Sequence, residues 1–91
     1  MMKRSTQERM MAVLRAVSEG AVLPSRLYWH TEIVYRDVLT YLDKLIATGH
    51  VEKIPTPQNR RSKYMLRITA KGQQTIMLYD QLTRALSEPD D

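Results

Sequence analysis

No cysteine occurs among the 91 residues, which excludes a disulfide framework, thiolate metal sites and a thiol nucleophile together. The lack also fits a reducing compartment. Only two histidines, His30 and His50, are available as acid–base groups near neutral pH, and the three glycines form no phosphate-cradling loop. His30, Glu32 and Asp37 are too loosely spaced to argue for a metal. An enzyme is therefore not expected, and neither is a cofactor or a metal. Long apolar runs are missing as well: the longest is MMAVL at 10–14, far short of a membrane span or a signal-peptide core. The expectation is a cytoplasmic protein with no membrane partner.

What is present suits one small folded domain, expected over 1–87, with a polar acidic tail over 88–91 that has no reason to be ordered. Hydrophobic residues make up 43% and charged residues 26%, ordinary values for a globular chain. The net charge of +4 hides an asymmetry: residues 80–91 carry four acids and one arginine, leaving +7 on the rest. Between Lys53 and Lys71 stand six basic side chains (Lys53, Arg60, Arg61, Lys63, Arg67, Lys71) and no acid. Such a density suits a polyanion, and equally a solvated face.

Ser5-Thr6-Gln7-Glu8 has the form of a capping box and opens a first helix that runs to about Ser18. Met10, Met11, Leu14 and Val17 make its apolar stripe, and Gly20 supplies the stop. Pro24 fits the first turn of a second helix reaching about His30, with Trp29 expected to plug the junction of the first three helices. After a turn at His30-Thr31-Glu32-Ile33, a third helix spans about 34–48. Its core arc is Tyr35, Val38, Leu42, Leu45 and Ile46, leaving Arg36, Asp37, Thr40, Lys44 and Ala47 outward and Tyr41 at the border.

HVEKI at 50–54 and KYMLRI at 63–68 read as two strands of a hairpin. Pro55 and Pro57 cannot donate to a ladder, so pairing should fail just past Ile54 and leave TPQNRRS as a protruding basic loop. Thr69 caps a last helix running to about Leu86. In it Thr75, Tyr79, Leu82 and Leu86 are spaced as a heptad seam, widened by Ile76 and Leu78.

The fold class is thus α+β, mostly α: three helices, a two-stranded hairpin with a basic tip, and a C-terminal helix. That is the element order of a winged helix-turn-helix domain. The segment VYRDVLTYLDKLIATGHVEKI resembles the recognition helix and first wing strand of prokaryotic winged-helix regulators, in which an L-x-x-L-x-x-x-G spacing (Leu42, Leu45, Gly49) leads into a V-E-K strand. NRRSKYMLRITAKG, at 59–72, resembles the wing of MarR-type and PadR-type regulators, where a basic pair at the tip precedes a strand and a T-x-K-G helix start. The resemblance covers about residues 10–72. The chain is much shorter than full-length MarR proteins, which suggests a minimal single-domain form, in the manner of a mobile-element protein.

The resemblance implies a sequence-specific regulator of transcription, a repressor, bound to double-stranded DNA. The helix at 34–48 would lie in the major groove, with Arg36 reading guanine and Thr40 and Tyr41 touching bases, thymine methyls or phosphates. Asp37 would accept from cytosine or hold Arg36, and Lys44 would add charge. The wing at 55–63 would put Arg60 and Arg61 on phosphates or in the minor groove, flanked by Ser62, Lys63 and Arg67. A homodimer through Thr75, Ile76, Leu78, Tyr79, Leu82 and Leu86 would double the contacts. The alternative is a winged helix used for protein–protein interaction, or an accessory factor of a mobile element.

Overall fold

The computed structural model describes residues 5–56 and 64–87; the expected acidic tail at 88–91 lies outside them. The order is α1 (Thr6–Ser18), α2 (Pro24–Thr31), α3 (Tyr35–Ala47), β1 (Val51–Pro55), β2 (Tyr64–Ile68) and α4 (Ala70–Ser87).

The capping signals act where the sequence places them. Ser5 Oγ accepts from the Glu8 amide at 3.1 Å, and Thr69 Oγ1 accepts from the Gly72 amide at 3.1 Å. Each satisfies one of the amides that a helix start leaves without an intrahelical partner. Gly20 and Gly49 have φ of 105° and 81°, the left-handed region in which a glycine lacks the Cβ penalty after a helix.

α1, α2 and α3 pack on one another around Val13, Leu14, Leu27, Val38 and Leu42, each 0–1% exposed, and Val51 and Leu66 close the core from the hairpin. β1 and β2 are antiparallel, with Val51 opposite Ile68 and Lys53 opposite Leu66. Pairing extends one residue further than expected, to Pro55 opposite Tyr64. A two-stranded sheet has only edges, so a proline there can turn its donor-less nitrogen away from the partner. The Leu66 amide donates to the Val22 carbonyl at 2.7 Å, tying the hairpin to the segment between α1 and α2.

Two aromatic expectations fail. Trp29 does not plug the helix junction: it is 78% exposed and meets Tyr28 edge-on, ring centroids 5.3 Å apart. In α2 the inward line is Leu27 and Thr31, and Trp29 stands about 200° round the helix from Leu27. Tyr35, expected in the core, is exposed, and Tyr41, expected at the border, is buried. Both lie about 60° from Val38, on opposite sides, and Tyr35 lies on the side of Leu42 and Ile46, so periodicity alone favours the tyrosine that the structure leaves exposed. Tyr35 belongs to the first turn of α3, whereas Tyr41 sits midway along it, level with the core.

α4 divides along its length. Thr75, Ile76, Tyr79 and Asp80 are half-buried, whereas every side chain described from Gln81 to Leu86 is exposed.

Candidate nucleic-acid interface

The turn between α2 and α3 is built by Thr31 and Glu32. Thr31, buried, donates through Oγ1 to the Leu27 carbonyl at 2.6 Å and accepts from the Ile33 amide at 3.2 Å. Glu32 then takes φ 59°, ψ 22°, a left-handed step that is uncommon for a side chain with a Cβ. This step reverses the chain and inserts Ile33 into the core. α3 starts at once, behind Val34, which offers no side-chain acceptor to the first amides of the helix.

The outward face of α3 follows from that docking. Val38, Tyr41, Leu42 and Leu45 are buried, which leaves Val34, Tyr35, Arg36, Thr40, Asp43, Lys44 and Ala47 exposed and Asp37 half-buried. The Thr40 hydroxyl donates to the Arg36 carbonyl at 3.1 Å, so its lone pairs still face outward. Asp37 lines a shallow recess with Arg9 and the turn residues Thr31–Val34. Of the five α3 residues singled out from sequence, Arg36, Asp37, Thr40 and Lys44 reach solvent. Tyr41, 8% exposed, is core. The exposed pair Val34 and Tyr35 at the helix start was missed, because apolar character assigned Tyr35 to the interior.

Along the hairpin, Arg67 faces Glu52 across the strands, and its Nε donates to Glu52 Oε1 at 2.5 Å with Nη2 in the same pair. Arg67 is thus paired with its own neighbour, a cross-strand pairing invisible before the register is known. Lys53, a member of the basic run but not of the expected site, is exposed on β1. Its Nζ lies 4.7 Å from the centre of the Tyr64 ring, a cation–π contact that steadies an exposed charge on the wing. Arg60, Arg61, Ser62 and Lys63 lie outside the described residues. Pro55 and Tyr64, where the described strands end, face one another.

The far end of α3 is bonded to the start of α4. The Lys71 ammonium donates to the Thr48 carbonyl at 2.8 Å, and Thr69 Oγ1 donates to the Gly49 carbonyl at 2.6 Å. Thr48 Oγ1 and His50 Nδ1 are 2.6 Å apart. Burial, and after it the charge of Lys71, holds the His50 imidazole below its ordinary pKa. Among the described residues no group of three or more histidine or acidic side chains is arranged to hold a metal, and no helix is long and apolar enough to cross a membrane.

The expected dimer seam splits into two faces. Thr75, Ile76 and Tyr79 turn toward the body, where Ile76 packs against the core, while Leu78, Leu82 and Leu86 are 58%, 55% and 79% exposed.

A turn-linked helix pair with its second helix bare on the outside, followed by a hairpin, defines a winged helix-turn-helix domain. The family model described as winged helix-turn-helix matches residues 3–87, and the chain belongs to that family. No curated protein matches it. Among solved structures it is similar to a mutant MarR of E. coli complexed with operator DNA, at TM-score 0.69 and 24% identity over 80% of this chain and 52% of that one. It is similar to FabT of Streptococcus pneumoniae in complex with DNA, at TM-score 0.69 and 23% identity over 86% of this chain and 55% of that one. A third is the transcriptional regulator BldR of Sulfolobus solfataricus, at TM-score 0.68 and 25% identity over 91% of this chain and 63% of that one. The chain thus spans less than two thirds of the length of each.

Proposed function

We propose that the protein is a cytoplasmic, double-stranded-DNA-binding regulator of transcription, acting as a repressor. The observation that carries this reading is the outer face of α3, where Arg36, Thr40 and Lys44 stand exposed on one helix, uncovered among the described residues. A helix of this width enters the major groove. Arg36 reads guanine through its fork, and Thr40 and Lys44 reach base edges or phosphates. Val34 and Tyr35 supply apolar contact at the entering end, where thymine methyls are met. Asp37 sits at the base of this face, suited to a cytosine amino group. Tyr41 has no part in it.

The wing adds charge beside the helix. Lys53 approaches the phosphates, as do Arg60, Arg61, Ser62 and Lys63 of the connecting segment; Arg67 joins them only by leaving Glu52. Support comes from two fold relatives whose structures include DNA. Two copies pairing through Leu78, Leu82 and Leu86 of α4 present two such surfaces to a two-fold site.

A mobility-shift titration on random duplex DNA at two salt concentrations tests the reading. Binding should weaken steeply with salt, and Arg60→Glu with Arg61→Glu should abolish most of it. Absence of binding even at low salt would overturn the reading in favour of a protein partner. Selection of bound sites from random DNA should return a two-fold sequence, and Arg36→Ala should relax it at one position per half-site.

A further inference from the structure

Lys71 stands in the basic run that suggests polyanion binding, yet its ammonium is directed at the protein's own backbone. It donates at 2.8 Å to the carbonyl of Thr48, the C-cap residue of α3. The last carbonyls of a helix have no intrahelical donor and carry the negative end of the helix dipole, so a lysine there is doubly favourable. Thr69 adds to the same junction: Oγ1 donates to the Gly49 carbonyl at 2.6 Å and its amide donates to the His50 carbonyl at 3.1 Å. Gly72 closes it. A Cβ at that position would overlap the His50 carbonyl oxygen and come within 2.7 Å of Ile68 Cγ1, so the two backbones touch with no room between them.

From these contacts we infer that Thr69, Lys71 and Gly72 form a clasp that fixes the direction of α3 relative to α4, with Lys71 as a positioning residue and not a DNA contact. Its physical effect is to make one rigid unit of the helix whose outer face is bare and the helix whose far half projects from the body. Where α4 pairs two copies, the clasp sets the separation and tilt of the two α3 helices. That consequence rests on the proposed function; the clasp itself does not.

Two measurements on the full chain decide it, using Lys71→Met, which keeps the stem and removes the donor, and Lys71→Arg, which keeps a donor. The first is amide hydrogen exchange without DNA. In Lys71→Met the amides of Thr48, Gly49 and His50 should exchange about three- to tenfold faster, the loss of one backbone-capping hydrogen bond, with Leu14 unchanged. Lys71→Arg should stay near wild type. Unchanged exchange at Thr48–His50 overturns the clasp, whether or not the protein binds DNA. The second is affinity for a selected site against random duplex. Lys71→Met should narrow that ratio about tenfold while leaving the salt slope unaltered. Equal weakening on both, with a slope reduced by about 1, would identify a phosphate contact and overturn the positioning role. If wild-type protein binds no duplex, the proposed function fails while the exchange result still stands.

Discussion

Arg15 of α1 and Asp80 of α4 meet side-on: Nη1 donates to Oδ2 at 3.3 Å and Nη2 to Oδ1. This two-point pair is where α4 stops leaning on the body, since the described side chains beyond it are all exposed. The hydrogen bond from Arg15, with the charges of Arg15 and Arg84 adding, holds the Asp80 carboxyl below its ordinary value of 3.8. A lowered carboxylate pKa stabilises the fold above the ordinary carboxylate range, and that stabilisation fades as pH falls through the lowered value. Asp80→Asn should therefore melt below wild type near neutral pH and converge with it as pH falls below the ordinary carboxylate range. Thermal melts across that range would show it; parallel curves would mean that the pair does not fasten α4.

Thr31 fixes the turn on which the placement of α3 depends. Thr31→Val keeps the shape but removes the acceptor of the Ile33 amide and the donor to Leu27 O. An amide left unpaired in this buried turn should cost about 1–3 kcal/mol. Urea denaturation would measure it, and a cost near zero would show that water or a shifted turn replaces the hydroxyl.

Trp29 is expected to contribute little to stability. With 78% of the residue exposed, Trp29→Ala should change the unfolding free energy by no more than about 0.5 kcal/mol. A tryptophan filling the helix junction would cost about 3–5 kcal/mol on the same change. Denaturation curves separate these outcomes without any ligand.

Gly72→Ala tests the close approach of α4 to the His50 backbone, just before β1. The methyl group would overlap the His50 carbonyl, so the usual helical advantage of alanine over glycine should reverse into a loss of about 1–3 kcal/mol. A more stable variant would show that the backbones separate at little cost.

For the proposed dimer, Leu82→Glu with Leu86→Glu should yield a monomer by sedimentation with helix content unchanged. Both leucines lie on the exposed half of α4, so the substitution removes an apolar face without touching the core. A wild-type protein that sediments as a monomer at micromolar concentration would sink this arrangement.

Much of the fold is legible because its signals are local. The serine that opens α1, the proline at the start of α2, the glycines after α1 and α3, and the threonine before α4 each act on backbone groups within a few residues. The outward positions Arg36, Thr40 and Lys44 follow from periodicity, because the apolar arc opposite them is unambiguous. Aromatic residues broke the pattern, since a large apolar side chain is read as core wherever it falls. Trp29 is opposite the inward line of a two-turn helix, too short for periodicity to speak clearly.

The sequence by itself determined the order of elements, the bare face of the third helix and the basic character of the segment beyond it. These depend on chemistry spaced over a few residues along one chain. Only the tertiary structure decided which tyrosine of α3 is buried, that Arg67 is engaged by Glu52, that Lys71 caps a helix 23 residues away, and that α4 is covered for half its length. Those outcomes depend on register between strands and on how far each helix extends past its neighbour, and residue spacing within one segment encodes neither.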